Sequence, residues 1–369
     1  MAGDQAMILN HLSGLSKRLH RTLTSFWRRD IYYVTDGADW SIYWDAYYIT
    51  MGLKECLGLP AHVITDHRGL RNQIIHFGNR YAYLNGTFNS LHPSNQVFLT
   101  WFHGDPADPN PTMQRHFAVL PEVVGNVQKL VVTCRISREV LVKLGIPGTK
   151  IATIPLGVDL ARFFPPTAES RLSARATLGI PEEAICVGSF QKDGAGWGVG
   201  VEPKLVKGPD ILLEVAANLS ARYNNLMILL TGPARGYVKQ GLERLGVRYI
   251  HHFLSDYRDI VRYYQALDLY IISSRCEGGP KALLESWATG VPVVSTQVGM
   301  SDDLIKHGVN GMLAEVGDAE SLTNCAVELI EDTALRERCQ HQASEDVRQY
   351  DWSLIVERYY HELYQPLLR

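Results

Sequence analysis

Short apolar runs, each too brief for a buried helix, alternate with helical stretches along almost the whole chain. In the first half the runs are IYYV (31–34), AHVIT (61–65), QIIHFG (73–78), VFLTWFHG (97–104) and KLVVTC (129–134), and KIATIPLGVD closes that half. Helices are predicted over 41–58, 113–127 and 135–145. The second half repeats the alternation with AICVGSF (184–190), LMILLTG, RYIHHF, LYIISS, PVVST and GMLAEV. Helices over 208–222, 234–246, 256–266 and 280–290 fall between these runs, and three more follow residue 318. Apolar strands separated by helices form parallel sheets, because each crossover helix covers a sheet face and both faces of every strand are buried. The expected class is α/β, with two doubly wound Rossmann-like domains. Gly157 and the pair Pro165–Pro166 break the pattern, which puts the boundary near 156–166.

Composition narrows the function. The 369 residues suit two domains at roughly 150 residues each. A net charge of −3 leaves no excess of Lys and Arg for a phosphate backbone, so no nucleic-acid partner is expected. The six cysteines show no C-x-x-C spacing and read as reduced thiols of a cytoplasmic protein. No apolar run approaches the length of a membrane span, and no signal-peptide core is seen. In residues 7–29, Leu12, Leu15, Leu19, Leu23 and Phe26 recur at helical spacing among Lys17, Arg18, Arg21, Arg28 and Arg29. Residues 1–30 therefore read as a basic amphipathic helix with two open roles. It lies peripherally on the inner face of a membrane, or it packs on the body of the protein or a second subunit.

The segment SSRCEGGPKALLESWATGVPVVST (273–296) carries the chemistry. Ligands of an open parallel sheet bind beyond the carboxyl ends of its strands. LYIISS ends at Ser274, so Arg275 to Gly279 lie at that rim. Gly278 and Gly279 let backbone approach a ligand, and Pro280 fits the first helical position. The N–H groups at the helix start then form an anion site suited to phosphate. Glu277 precedes it and Glu285 follows within two turns. An ionised carboxylate only accepts hydrogen bonds, and its two oxygens match a vicinal diol. A sugar ring at one acid and a ribose at the other, with diphosphate between, describe a nucleotide-sugar. The alternative is a capping acid at 277 and a solvated helix acid at 285.

E-G-G-P-x-x-x-x-E, then ATGVPVVST, then G-x-x-D-D-L-I-x-H-G-x-N-G-M-L (299–313), closely resembles the retaining GT-B glycosyltransferases of family 4. The resemblance runs from about Thr149 to Val316, including IPLGVDLARFFP, VGSF and KGPDILLEV; over 31–148 it is architectural. It implies a GT-B fold with an acceptor-side domain at 31–157 and a donor-binding domain at 158–350. Residues 351–369 would form a terminal helix crossing back to the first domain. It also implies transfer of a sugar from a nucleoside-diphosphate sugar with retention of configuration, no cofactor and no required metal. The absence of a D-x-D is consistent with this.

In such an enzyme Glu277 contacts the donor sugar and Glu285 the ribose. Lys207 is the family's phosphate lysine, and Lys281 joins the donor-binding set. The family's partner arginine falls on Ser189 here, a departure for which Lys192 or Arg275 are the candidate replacements; Arg275 also reads as the partner of an acid. The glycines at 194, 196, 198 and 200 suit a loop closing over the donor, or a merely flexible one. Gly37 matches the glycine turn facing the diphosphate from the first domain, and His103, ending VFLTWFHG, the histidine near the transferring sugar. His76 has the same topology with weaker claims, and Asp36, Asp39 and Asp45 are acceptor-side acids without a distinguishing signal. The acceptor is a carbohydrate, a lipid-linked sugar or a small molecule, and the oligomeric state is open. Two other functions share these motifs: another GT-B enzyme, such as an epimerase or phosphorylase, and a non-catalytic nucleotide-sugar-binding subunit.

Overall fold

The computed structural model describes residues 29–38, 41–84 and 90–368. The expected helix over 7–29 and Asp39 fall outside these residues, apart from Arg29. Two six-stranded parallel sheets form the body, each with helices on both faces. The first contains β1 (Ile31–Val34), β2 (Ala61–Ile64), β3 (Ile74–Phe77), β4 (Gln96–Thr100), β5 (Lys129–Val132) and β6 (Ile151–Thr153), in spatial order β2-β1-β3-β4-β5-β6. The second contains β7 (Ile185–Ser189), β8 (Leu226–Thr231), β9 (Tyr249–His252), β10 (Leu269–Ile272), β11 (Val293–Thr296) and β12 (Met312–Ala314), in order β12-β11-β10-β7-β8-β9. The strand order reverses between β1 and β3 in the first sheet and between β7 and β10 in the second. Neighbouring chain segments leave their strands in opposite directions at such a point and open a crevice. This two-domain arrangement is the GT-B fold.

Helices in chain order are α1 (Ser41–Glu55), α2 (Arg80–Leu84), α3 (Pro111–Ala118), α4 (Leu120–Asn126), α5 (Arg135–Lys143), α6 (Ala168–Leu178) and α7 (Pro209–Arg222). They continue with α8 (Gly236–Leu245), α9 (Ile260–Gln265), α10 (Lys281–Ala288), α11 (Gly299–Leu304), α12 (Ala319–Glu331), α13 (Thr333–Asp346) and α14 (Trp352–Tyr359). The single helix expected over 113–127 is two. Pro121 sits in the first turn of α4 and has no N–H with which to continue α3. Three helices that strand–helix counting passed over are α2, α6 and α11. Helix α6 is capped by Thr167, whose Oγ1 accepts from Ser170 N at 3.1 Å, and stopped by Gly179 in the left-handed region.

The chain returns to the first domain at its end. Trp352, Ile355, Val356, Tyr359, Leu363 and Tyr364 are buried with Ile31, Tyr33, Ala46, Ile49 and Phe98 in one core. Trp352 stacks on Tyr48 of α1, with ring centroids 5.4 Å apart and planes 10° from parallel. Its indole also covers Gly157, where an added Cβ would lie 2.5 Å from Trp352 Cδ2. The glycine that breaks the sequence pattern thus allows the terminal helix to cross both domains. His76, expected at the rim, is fully buried beneath this helix. Its Nδ1 lies 2.6 Å from the Tyr364 hydroxyl and its Nε2 2.8 Å from Thr100 Oγ1. Burial lowers its pKa to about 3, so it is a neutral core residue. Trp352→Ala should cost about 3–5 kcal/mol, the usual range for truncating a buried aromatic. The urea unfolding midpoint checks this, and an unchanged midpoint would mean that the terminal helix contributes little.

Candidate active site

The loops after β7 and β10 meet at the reversal point of the second sheet. Lys207 lies in a 3-10 turn, Leu205–Lys207, and Gly208 follows with φ +62°. A Cβ on Gly208 would stand 1.9 Å from the Ser273 carbonyl oxygen, so only glycine lets this turn press against the end of β10. Lys207 Nζ consequently reaches Glu277 Oε1 at 2.6 Å, and Ser274 Oγ donates to the same oxygen at 2.8 Å. Glu277 is 9% exposed. Burial alone would raise its pKa, but the Lys207 ammonium, with hydrogen bonds from Lys207 and Ser274, outweighs burial and holds the carboxyl below its ordinary value. It is an ionised acceptor, as a sugar hydroxyl requires.

Gly278 is where the two domains touch. A Cβ there would meet the Phe102 carbonyl at 2.1 Å, and at Gly279 it would meet Met300 Sδ at 2.6 Å. Pro280 is one position earlier in the helix than expected: it is the N-cap, with ψ 107°, and α10 begins at Lys281. Leu283 N returns to the Pro280 carbonyl at 3.0 Å. A helix start leaves its first N–H groups without intrahelical partners, and this one follows directly on the Gly278–Phe102 contact.

Across the crevice stands His103. Its Nδ1 is buried and has no hydrogen-bond partner among the described residues. Burial, then repulsion from Lys207, pushes its pKa to about 3 against the opposing effect of Glu277, so the imidazole is neutral. Behind it the buried Arg80 of α2 donates to the His103 carbonyl and lies 5.1 Å from the Trp101 ring. Sequence reading missed Arg80, although its place just beyond β3, at the first sheet's reversal point, was a usable signal. Gly37 lies at the same reversal point after β1, with φ +78° and an exposed surface.

The remaining donor-site candidates have protein partners. Arg275 forks onto Asp210 at 2.7 and 2.6 Å, which is the plain ion-pair reading of that residue. Lys281 Nζ lies 2.6 Å from the buried Asp45 Oδ1 and so bridges α10 to α1 of the other domain. This gives Asp45 a role that its sequence context did not show. Lys192 Nζ sits 3.7 Å from the centre of the Trp197 ring. Ser189 is buried, and its carbonyl accepts from Arg235 Nη1 at 2.6 Å. Arg235 is itself fully buried against Asp193, with Nε 3.0 Å from Oδ1. A guanidinium therefore stands behind Ser189, but its charge is already matched.

Glu285 is neither a solvated helix acid nor open to the crevice. It is 5% exposed, and its carboxyl accepts from the Tyr264 hydroxyl at 2.7 Å and from the Tyr257 hydroxyl. Two hydroxyls on one carboxyl is the pattern a ribose would offer, supplied here by protein. Tyr257 also packs on Trp44 of α1, with centroids 5.5 Å apart, so this pocket too is closed by the first domain.

Residues 203–346 match the family described as Glycosyl transferases group 1. The D-inositol 3-phosphate glycosyltransferase of Corynebacterium urealyticum is 31% identical over 232 residues, which cover 59% of this chain and 51% of that protein. The amylovoran biosynthesis glycosyltransferase AmsK of Erwinia amylovora is 26% identical over 75% of this chain and 66% of its own. The chain spans about half the length of the first curated relatives it matches. HepE from Anabaena, crystallised with UDP and glucose, superposes with a TM-score of 0.72 at 20% identity, covering 91% of this chain and 99% of its own. Sucrose-phosphate synthase from Thermosynechococcus elongatus gives 0.74 at 17% identity, covering 92% and 99%. These two likenesses establish the fold.

Burial, then repulsion from Asp45, raises the Glu285 pKa from 4.5 to about 8. The folded chain keeps this proton over a range in which the unfolded chain has lost it. The resulting stability is complete below about pH 4.5 and is lost as pH rises through about 8. Glu285→Gln should flatten that slope in urea midpoints measured between about pH 5 and about pH 8.5. An unchanged slope would assign the titration to another group.

Proposed function

We propose that this protein transfers a sugar from a nucleoside-diphosphate sugar to an acceptor hydroxyl with retention of configuration. The observation that carries the reading is the Lys207–Glu277 pair, 2.6 Å apart at the strand-order reversal, beside a helix start and opposite a neutral histidine. Glu277 is an ionised acceptor for donor-sugar hydroxyls. The His103 ring, which cannot charge in the neutral range, exchanges a hydrogen bond with another hydroxyl without repelling Lys207. Lys207 and the N–H groups at the start of α10 meet the diphosphate.

In the transfer, the acceptor oxygen bonds to the anomeric carbon as the bond from that carbon to the β-phosphate oxygen breaks. The acceptor proton passes to the departing diphosphate oxygen, and both events occur on one face of the sugar. Negative charge grows on the leaving group, so fixed cations and amides supply most of the rate enhancement. Retention and independence of metal are supported by the motif likeness, and a uridine donor by the ligands of HepE. Glu285 serves the ribose once the Tyr257 hydroxyl gives up its place.

The departure at Ser189 favours a second reading, a binding subunit without turnover, because the family's arginine is missing there and Arg235 is spent on Asp193. The experiment measures nucleoside-diphosphate release from a panel beginning with UDP-sugars, with and without EDTA. Glu277→Gln and Lys207→Met are each expected to lower kcat by about 100-fold or more while leaving the fold intact. Release that survives Glu277→Gln unchanged would remove the site assignment. Donor binding without release under any acceptor would select the binding subunit.

A further inference from the structure

We propose that Lys204 is the second cation on the donor diphosphate, acting with Lys207 where the family's arginine is replaced by Ser189. The inference rests on the nucleotide-sugar reading above and names a residue that the motifs do not. It starts from charge. The buried Lys207–Glu277 pair is neutral as a unit, whereas a diphosphate brings about two negative charges. A site built on that pair alone would leave the dianion poorly matched.

The other cations near the rim have protein partners, Arg80 among them on the His103 carbonyl and His116 Nδ1. Arg275 is held by Asp210, Arg235 by Asp193, Lys281 by Asp45, and Lys192 lies on the Trp197 face. Among the described residues, no carboxylate stands within ion-pair distance of Lys204.

Its placement fits the task. Lys204 caps the 3-10 turn that carries Lys207, and Lys207 N donates to the Lys204 carbonyl at 2.8 Å. Lys204 and Lys207 thus stand at the two ends of one short turn, with their charges close enough to repel. The groups around Lys204 agree. Although the residue keeps an exposed surface, desolvation and then repulsion from Lys207 push its pKa to about 8, with Lys192 and Arg80 adding to the effect and Glu277 opposing it. Cations crowded in this way are relieved by an anion between them.

The glycine-rich segment that carries Lys204 is hydrogen-bonded within itself and to its surroundings. Gly194 and Pro203 form an antiparallel bridge, Ala195 N donates to Glu202 O at 2.8 Å, and Lys204 N donates to Asp193 O at 2.8 Å. The hairpin is fastened to the turn after β8 by Gly236 N to Val199 O at 2.7 Å and Tyr237 N to Gly200 O at 2.9 Å. At Gly200, with φ +72°, a Cβ would lie 2.4 Å from the Ala234 carbonyl. The fully buried Asp193–Arg235 pair closes the latch. A rigid mount of this kind holds a lysine ready for its ligand, which limits the entropy lost on binding.

Calorimetric titration with inorganic pyrophosphate and with UDP tests the proposal. Lys204→Met should weaken both by about tenfold or more, Lys204→Arg should stay near wild type, and both variants should melt with the wild type. Wild-type affinity in Lys204→Met, with loss in Lys207→Met, would overturn the role of Lys204 and leave the donor site standing. Equal loss in Lys204→Met and Lys204→Arg together with lowered melting would mark a structural lysine and also overturn it. Failure of the wild type to bind either probe would overturn the nucleotide-sugar reading itself.

Discussion

The site depends on one buried ion pair between segments 70 residues apart, Lys207 and Glu277. Taking two charges out of water is costly, and such a pair persists only where its geometry is fixed and further hydrogen bonds serve it. Both conditions are met by the sheet. Strands β7 and β10 are neighbours although three helices and two strands separate them in the chain, so the turns leaving them must meet. Gly208 allows the approach and Ser274 supplies the extra hydrogen bond. The pair in turn holds Glu277 ionised at the contact with the first domain, which is what a hydroxyl acceptor beside a phosphate site needs.

The seam between the domains is polar where it works and aromatic where it holds. Asp45–Lys281 and the Arg135 contacts with Asp302 and Asp303 cross it as charges, and the Trp44–Tyr257 pair crosses it as rings. Glu285 sits behind Tyr257 on this seam, so under the proposed function donor entry at the ribose end would involve the side chains that join the domains. Helix α14 ties the domains at the far end, where its buried face belongs to the first core. Relative motion about this strap is the movement the arrangement permits most readily.

Much of the fold was legible because parallel sheets leave a simple trace: runs such as LMILL and AICVG are apolar on both faces, and each reappears here as a strand. What the pattern missed has local causes. Helix α6 was marked only by its caps, Thr167 and Gly179, and the break between α3 and α4 only by Pro121. The spacing of Glu277 and Glu285 located the loop and helix but could not show that Tyr257 and Tyr264 occupy the second acid, since those contacts come from another strand end. Arg275, Lys281 and Lys192 looked available in sequence because their partners Asp210, Asp45 and Trp197 are set by tertiary packing. Arg80, Lys204 and the Asp193–Arg235 latch carried no motif and emerged only from burial and charge.

A crystal structure with an unreactive nucleotide-sugar analogue tests the central claim most directly. The account requires the diphosphate on Lys207 Nζ and the N–H groups at the start of α10, with Glu277 accepting from hydroxyls of the sugar ring. Analogue bound elsewhere, with Lys207 and Glu277 still paired to each other and touching no ligand atom, would contradict it.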